Sequence, residues 1–245
     1  MLLDPKTIAC MIFDLDGTLI DSIPPYFRLL EGIFDTLGLP QPALALKKEF
    51  ITTGPAVFEK MIPPEMVADR DAMIRQCLDV GRRISRDMFR DTVDGFPDVK
   101  RLFDLLVRHD IRIGIVTTTE REFIERKLLP LKRIGVAAAV DAIVAIEDAP
   151  RRKPAPDPLL VCARQLSVNP EHCVYVGDSY VDIRAGCSAG MKTIAVLSGL
   201  DDFDTLDRER PTVIVQNIAA IWRTLDEYFS CPNNHEKSGE YLYHA

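Results

Sequence analysis

The amino-acid sequence predicts a doubly wound α/β fold, in which helices cover both faces of a parallel sheet. Short apolar runs alternate with amphipathic segments along most of its 245 residues. Nearly continuous apolar strands are typical of a parallel sheet that is buried on both faces. One long interval lacks any such run, so we also expect a second, smaller helical domain.

Six apolar runs supply the predicted strands, and segments with helical periodicity lie between them. In residues 99–109, Leu102, Leu105 and Leu106 fall on one face of a helix. Another helix is predicted at residues 157–166, with Asp157 as its N-cap and a proline in its first turn. In chain order, the predicted strands are residues 7–13, 111–117, 141–146, 173–178, 193–198 and 212–216.

An inserted segment interrupts this alternation, because it contains helical patterns but no convincing buried strand. Turn-forming residues mark both of its edges, with Pro24 and Pro25 on entry and the segment DGFPD, residues 94–98, on exit. The predicted divisions are a core domain at residues 1–21 and 93–228, an inserted helical cap domain at residues 22–92 and a polar C-terminal tail at residues 229–245.

Composition and charge exclude several functional classes. The net charge is −7, which argues against a nucleic-acid partner, because phosphate backbones are bound mainly by clustered lysines and arginines. No segment reaches the ~20 apolar residues that span a bilayer, and the N-terminus lacks the pattern of a signal peptide. The six cysteines lack CxxC spacing, which favours reduced thiols over disulfides or a zinc site. We expect a cytoplasmic protein that binds neither nucleic acid nor membranes; its oligomeric state stays open.

Polar side chains follow four of the predicted strands. Because ligands bind outside the carboxyl ends of the strands in an open parallel sheet, we expect these side chains to form one site. Crowded carboxylates repel each other, and Mg²⁺ with its oxygen ligands would relieve that repulsion. Mg²⁺ and a lysine could together neutralise a phosphoryl group. The residues concerned are Asp14, Asp16, Thr117, Thr118, Lys153 and Asp178.

Four short motifs occur in order at these strand ends: DLDGT, IVTTT, KPAPDP and VGDSYVD. Together they resemble the motifs of the haloacid dehalogenase superfamily of phosphatases and mutases, and the resemblance extends to about residue 225. The superfamily has a Rossmann-like core. Insertion of the helical segment between the first two motifs resembles the subfamily with a helical cap, which includes phosphoglycolate phosphatase and β-phosphoglucomutase.

The resemblance implies a two-step reaction at the end of the first strand. Asp14 would attack phosphorus and form an aspartyl-phosphate. Asp16 would protonate the leaving oxygen and then deprotonate the attacking water. The carboxylates of Asp14 and Asp178 and the backbone carbonyl of Asp16 would ligate Mg²⁺. Gly17 would let the chain turn sharply behind the nucleophile.

The resemblance also assigns phosphate-binding roles. Thr117 and the backbone of Thr118 would hold phosphoryl oxygens, and Lys153 would screen the nucleophile and the transferring group. Asp182 would support the metal site or Lys153, although Ser179 and Asp182 also have the spacing of a helix capping box. In the cap, a loop around Gly54 is expected to face the substrate.

Some residues of the first segment have more ordinary interpretations. Asp21 is assigned mainly to structure, as a cap or hinge where the chain enters the inserted domain. Cys77 and Arg83 have the cysteine-x5-arginine spacing of cysteine-dependent phosphatases, but the surrounding pattern is helical and unsuited to a phosphate-binding loop. We therefore favour aspartate chemistry.

The predicted activity is Mg²⁺-dependent hydrolysis of a small phosphomonoester, with phosphoglycolate as the leading candidate and a phosphosugar or nucleotide next. Two alternatives are a β-phosphoglucomutase-like mutase and a non-catalytic phosphate-binding protein. Mutase-like relatives usually carry histidine where this chain has Tyr26, which disfavours the first alternative. Both catalytic aspartates, Asp14 and Asp16, are present, which disfavours the second.

Overall fold

In the computed structural model, which describes residues 5–86 and 88–230, the chain forms two compact units. Within the described ranges, one unit is Ser22–Val93, and the other combines the residues up to Asp21 with those from Asp94 onward. The chain therefore leaves the unit that contains its first residues once, forms the unit Ser22–Val93, and returns once. Among the described residues, no helix is both long enough and apolar enough to cross a membrane.

The discontinuous unit contains a six-stranded sheet in which every pairing is parallel. The strand order is β3-β2-β1-β4-β5-β6, so the order reverses at β1. Each strand overlaps one of the six predicted runs, which confirms the predicted α/β sheet. The strands are β1 (Cys10–Phe13), β2 (Arg112–Val116), β3 (Ala142–Val144), β4 (Cys173–Gly177), β5 (Lys192–Val196) and β6 (Val213–Val215).

Helices lie in both units. Those of the described residues are α1 (Ile23–Thr36), α2 (Leu44–Thr53), α3 (Phe58–Met61), α4 (Arg70–Ser85), α5 (Met88–Asp91), α6 (Val99–Arg108), α7 (Ile124–Lys127), α8 (Leu129–Arg133), α9 (Asp157–Gln165), α10 (Tyr180–Ser188), α11 (Phe203–Arg208) and α12 (Ile218–Ser230).

Neighbouring residues of β1 point to opposite faces of the sheet, and helices cover both faces. On one face, Ile12 belongs to a buried cluster with Leu159 and Cys162 of α9. On the other face, the rings of Phe13 and Phe103 of α6 have centroids 5.4 Å apart. Burial on both sides explains why β1 is a continuous apolar run, and it anchors the residues that follow the strand.

The unit Ser22–Val93 is helical, and its described residues contain no strand. Helices α1 and α4 pack closely at Gly81 of α4. A Cβ added there would lie 3.1 Å from Cδ1 of Ile33 in α1. Two phenylalanines pack against Phe58, whose ring centroid is 6.3 Å from that of Phe34 and 5.4 Å from that of Phe50. The unit therefore has an apolar core of its own.

The alternative reaction based on Cys77 and Arg83 is wrong. Cys77 lies in the middle of α4, is fully buried, and is surrounded by helical backbone whose N–H groups are already paired. Burial raises the pKa of its thiol to about 11. A cysteine nucleophile needs an accessible thiolate in a loop, so Cys77 has a packing role.

The predicted cap of α9 needs correction. The helix begins at Asp157, so the N-cap position is occupied by Pro156, whose side chain makes no capping hydrogen bond. The carboxylate of Asp157 accepts a hydrogen bond from Nε of Arg151 at 3.2 Å. A carboxylate in the first turn still interacts favourably with the helix dipole, so the sequence preference has a physical basis other than capping.

Asp21 is not the cap residue of α1, one of the two structural roles that the sequence allowed, and its role as a hinge stays a prediction. Ser22 is the N-cap residue of α1, and Asp21 is exposed just before it. The backbone N–H of Asp21 donates to the carbonyl of Asp94 at 2.9 Å. The segment that leads into the helical unit and the segment that leads out of it are thus joined by a backbone hydrogen bond.

The last helix, α12, runs to Ser230. Phe229 and Ser230 are therefore helical, although the predicted tail begins at residue 229. The ring of Phe229 stacks on His109, with centroids 3.9 Å apart. The rest of the predicted tail, residues 231–245, lies outside the described residues.

Candidate active site

Three of the predicted site residues lie within one residue of each other in register at the carboxyl edge of the sheet. The register aligns the last residue of β1 with Ile115 and Val176. Asp14 is the next residue of the chain, and Thr117 and Asp178 each lie one residue further along the neighbouring strands. The N–H of Asp14 continues the sheet by donating to the carbonyl of Val176 at 2.9 Å.

The chain turns sharply after Asp14, as the sequence predicts. Gly17 has φ of 80°, a left-handed conformation that favours glycine. Its N–H donates to the carbonyl of Ile20 at 2.9 Å. This turn keeps Asp14 and Asp16 at the sheet edge and directs the chain toward Ser22.

Lys153 lies at the centre of a buried polar network. Its Nζ is 2.6 Å from Oδ1 of Asp14, 2.6 Å from Oδ1 of Asp182 and 3.0 Å from the phenolic oxygen of Tyr175. All four side chains are buried. Burial alone would lower the pKa of Lys153, but the charges of Asp14 and Asp182 outweigh it and raise that pKa well above its usual value. The lysine therefore stays charged beside Asp14.

Asp182 performs both of the roles left open by the sequence. One carboxylate oxygen accepts from the N–H of Ser179 at 3.1 Å and from the hydroxyl of the same serine, at the start of α10. The other oxygen accepts from Lys153 and from the hydroxyl of Tyr175, the latter at 3.0 Å. A single carboxylate thus orders the helix start and the lysine.

Three buried aspartates, Asp14, Asp178 and Asp182, form a cluster that could hold a metal ion. Each can offer one carboxylate oxygen, and these oxygens lie within 4.8 Å of one another. Asp178 is oriented by the hydroxyl of Thr18 at 2.9 Å and by the N–H of Leu200 at 2.7 Å. No sequence motif predicted either contact.

The protonation of these aspartates reflects their crowding. Burial raises the pKa of Asp14 to about 7 in the absence of a metal ion; Lys153 opposes this shift, while Asp182 and Asp16 add to it. Burial and the charges of Asp182 and Asp14 raise the pKa of Asp178 well above its usual value. Buried oxygen ligands that repel each other in this way fit a hard divalent cation.

A glycine allows the chain to pass close to Asp178. A Cβ added to Gly199 would lie 2.0 Å from Oδ2 of Asp178, so no larger residue fits there without movement. Leu200 is the next residue and supplies the N–H that holds the same oxygen. The loop after β5 therefore belongs to the site, although the sequence carries only a weak signal for it in the dipeptide SG, residues 198–199.

A second buried ion pair joins Asp16 to Lys127, at the end of α7. The exposed fractions of the two side chains are 12% for Asp16 and 11% for Lys127. None of the four motifs includes this lysine, but the sequence carries a signal for it. Ile124, Leu128 and Leu131 form a buried apolar stripe at helical spacing, and Lys127 lies within that stripe.

The threonine motif forms a compact turn after β2. The hydroxyls of Thr117 and Thr119 lie 2.9 Å apart, and the N–H of Thr119 donates to the hydroxyl of Thr117 at 3.2 Å. Thr118 between them is half-buried. The turn therefore presents Thr117 and Thr118 at the same sheet edge as Asp14. The roles of these residues toward phosphate stay predictions.

Gly54 lies in the helical unit, at the end of α2, with φ of 73°. Tyr26 lies in α1 of the same unit. A role for Gly54 toward substrate stays a prediction.

Comparison with known proteins identifies the family. The sequence profile of the haloacid dehalogenase-like hydrolases matches residues 11–196, which include all four motifs. The chain belongs to this family. The resemblance drawn from the motifs is confirmed, and the protein is an enzyme of the haloacid dehalogenase phosphatase type.

Curated relatives match over nearly the whole chain. A phosphoglycolate phosphatase from Chromobacterium violaceum is 30% identical over 223 residues, which cover 89% of this chain and 96% of the relative. The pyrophosphatase PpaX from Oceanobacillus iheyensis is 30% identical over 227 residues, covering 91% of this chain and 100% of the relative.

Solved structures share the fold at lower identity. A predicted phosphoglycolate phosphatase from Haemophilus somnus has a TM-score of 0.77 at 18% identity, covering 90% of this chain and 99% of that chain. A β-phosphoglucomutase from Clostridium difficile has a TM-score of 0.66 at 18% identity, covering 91% of this chain and 99% of that chain. These similarities concern the fold alone.

Proposed function

We propose that this protein is a Mg²⁺-dependent phosphohydrolase that cleaves a small phosphomonoester through an aspartyl-phosphate on Asp14. One observation carries the proposal. Asp14 is a buried carboxylate at the end of the central strand β1, paired with Lys153 at 2.6 Å and clustered with Asp178. A carboxylate placed in this way has a cation to balance its own charge and that of an incoming phosphoryl group.

The reaction has two displacements at phosphorus. In the first, a carboxylate oxygen of Asp14 forms a bond to phosphorus while the bond to the leaving oxygen breaks, and Asp16, in its protonated form, gives that oxygen a proton. In the second, Asp16 takes a proton from water, the water oxygen bonds to phosphorus, and the Asp14 carboxylate leaves. Phosphate is released, and the proton taken from water leaves Asp16 protonated for the next substrate.

Lys153 balances negative charge in both displacements. Its ammonium contacts the nucleophile and is held by Asp182 and Tyr175, so it needs no rearrangement when a phosphate arrives. A preoriented cation in a buried site stabilises developing charge more strongly than a mobile cation in water. Thr117 and the backbone of Thr118 would bind phosphoryl oxygens from the neighbouring strand.

The carboxylates of Asp14 and Asp178 and the backbone carbonyl of Asp16 would hold Mg²⁺. Bound there, the ion supplies positive charge that stabilises the phosphoryl oxygens during transfer. We place Asp182 outside the ligand set, because its two oxygens are engaged by Lys153, Tyr175 and Ser179.

The proposed substrate is a small phosphorylated metabolite, with 2-phosphoglycolate as the leading candidate. Relatives named phosphoglycolate phosphatase, at 30% identity over nearly the full chain, support this choice. The proposal includes residues 22–92 as a cap domain, with Gly54 as a substrate contact. Tyr26 supports hydrolysis over mutase activity, since tyrosine cannot exchange a proton near neutral pH as histidine does.

The test is a phosphate-release screen with purified protein. About a hundred phosphorylated metabolites would be assayed with Mg²⁺, with EDTA and with the Asp14→Asn variant. We expect Mg²⁺-dependent release from 2-phosphoglycolate that the variant lacks. Release that survives EDTA or the substitution would contradict the proposal, as would conversion of β-glucose 1-phosphate to glucose 6-phosphate faster than phosphate release.

A further inference from the structure

Lys127 is a buried cation that the proposed chemistry does not use. It ends α7, its neighbours Ile124 and Leu128 are buried, and its ammonium contacts Oδ2 of Asp16. Lysine is among the residue types least often buried, and a buried ammonium is stable only beside an opposite charge. Its presence inside an apolar stripe therefore calls for a role linked to Asp16.

The two lysines of the site differ in what surrounds them. Lys153 lies between the carboxylates of Asp14 and Asp182, and its side chain is 3% exposed. Lys127 contacts Asp16, and its side chain is 11% exposed. Lys153 thus serves the nucleophile, whereas Lys127 lies nearer the surface and beside the residue that would meet the leaving group.

The position of Asp16 limits the distance between Lys127 and a bound substrate. If Asp16 protonates the leaving oxygen, its carboxyl group lies within about 3 Å of that oxygen during the transfer. Lys127 contacts the same carboxyl group. Its ammonium is therefore on the order of 5 Å from the leaving oxygen, a distance that a substituent on the neighbouring atom of the leaving group can bridge.

A charged substituent at that position would interact strongly with Lys127. Opposite charges at a poorly hydrated site attract far more than in water, whereas a neutral hydroxyl gains little from an ammonium at the same distance. A carboxylate next to the ester carbon would be such a substituent, and so would the second phosphate of a phosphoanhydride.

We propose that Lys127 selects substrates whose leaving group is anionic next to the bridging oxygen, as in 2-phosphoglycolate and pyrophosphate. The inference rests on the proposed function, because it takes Asp16 as the proton donor to the leaving group. The competing explanation is that Lys127 only orients Asp16. If Lys127 only orients Asp16, its loss should lower kcat/KM equally for all substrates. If Lys127 selects by charge, its loss should lower kcat/KM mainly for substrates with an anionic leaving group.

The first experiment compares kcat/KM for a matched pair of substrates in the presence of Mg²⁺. 2-Hydroxyethyl phosphate differs from 2-phosphoglycolate only in carrying a neutral CH₂OH group in place of the carboxylate. We expect the wild type to prefer 2-phosphoglycolate by ~10-fold or more, and the preference to fall to within ~3-fold in Lys127→Met. Lys127→Arg should retain it. Pyrophosphate is assayed alongside, and its rate relative to 2-phosphoglycolate shows which anionic group is preferred.

Lys132→Met is the matched control. Lys132 lies in the adjacent helix α8 and pairs with Glu125, with side-chain exposures of 43% and 81%. Removing this exposed lysine should leave the substrate preference unchanged. A preference that also collapses in Lys132→Met would point to general charge loss and overturn the role of Lys127.

A binding measurement covers the case in which Lys127→Met fails to fold. Asp16→Asn removes the charge that Lys127 balances and blocks turnover, so the dissociation constants of both phosphates can be measured directly. Asp16→Asn should bind 2-phosphoglycolate ~10-fold more tightly than 2-hydroxyethyl phosphate, and Asp16→Asn combined with Lys127→Met should not.

The outcomes separate the inference from the function on which it rests. Phosphate release without a preference for the anionic substrate overturns the inference alone. If kcat/KM falls equally for both substrates in Lys127→Met and the preference is retained, Lys127 only orients Asp16. That result also overturns the inference. No phosphate release from any of the three substrates by the wild type overturns the proposed function together with the inference.

Discussion

The ammonium of Lys153 lies 2.6 Å from the carboxylate of Asp14, and both side chains are buried. The two residues are far apart in the sequence and meet because β1 lies at the centre of the sheet, where the loop after β3 can reach its carboxyl end. In a buried setting each charge depends on the other. A substitution of Asp14 tests the chemistry of the site, and a substitution of Lys153 tests the contribution of the pair to stability.

Replacing Asp14 by asparagine removes the anionic nucleophile but keeps the shape of the side chain. Turnover of the best substrate should fall by ~10³-fold or more, because an amide does not attack phosphorus as a carboxylate does. The fold should persist, since the amide oxygen can still accept from Lys153. Initial rates and circular dichroism check the two statements, and turnover within tenfold of the wild type would contradict the assigned role.

Replacing Lys153 by methionine should destabilise the protein strongly. Asp14 and Asp182 would face each other in the core without a cation, and loss of one partner of a buried pair costs about 3–5 kcal/mol. Urea denaturation of the metal-free protein measures the change.

Lys132→Met supplies the comparison for Lys153→Met. Its ion pair with Glu125 is exposed, and exposed pairs contribute about 0–1 kcal/mol. We expect a several-fold larger loss for Lys153. Equal losses would show that the buried network around Lys153 does not hold the sheet edge together.

Thr18→Val tests the metal site through a contact that leaves the nucleophile intact. The hydroxyl of Thr18 is buried and donates to Oδ1 of Asp178 at 2.9 Å. Its loss should cost about 1–2 kcal/mol of metal affinity, because the proposed ligand loses its orienting donor. The Mg²⁺ concentration for half-maximal activity should rise ~10-fold, with little change in kcat at saturating Mg²⁺. Thr18→Ser should restore the wild-type value, and an unchanged Mg²⁺ dependence would remove Asp178 from the ligand set.

The pKa of Asp14 predicts how the stability of the metal-free protein depends on pH. Burial raises this pKa from 3.8 to about 7. Between these values the native state keeps a proton that the unfolded chain has lost, so a rise in pH favours the unfolded chain. Asp14 should therefore reduce stability as the pH increases from about 4 to about 7.

Asp14→Asn isolates this contribution. Melting temperatures measured in EDTA at several pH values should fall more steeply for the wild type than for the variant between about pH 5 and 7. Mg²⁺ should stabilise the wild type more at pH 7.5 than at pH 5.5, since protons compete with the ion for the carboxylates. Parallel pH profiles for the two proteins would show that Asp14 is ionised throughout.

Local patterns were sufficient to predict the sheet and much of the candidate site. A strand that is buried on both faces must be apolar along its length, so β1 and the other strands were recognisable from a few residues each. Asp14 and Asp178 directly follow such strands, and their place at the sheet edge follows from the strand alone. Helix ends were less well predicted, as Asp157 and Asp21 show, because several residue types suit the same first turn.

The sequence by itself determined the class of fold, the family and the aspartates at the strand ends, because each depends on neighbours within a few positions. Only the tertiary structure decided that Lys127 contacts Asp16, that Thr18 and Leu200 orient Asp178, and that Asp182 serves Lys153 as well as its own helix. These contacts join side chains and backbone groups from separate loops at one sheet edge. Their energies depend on distance and burial in the folded chain, and neither quantity is written in the local sequence.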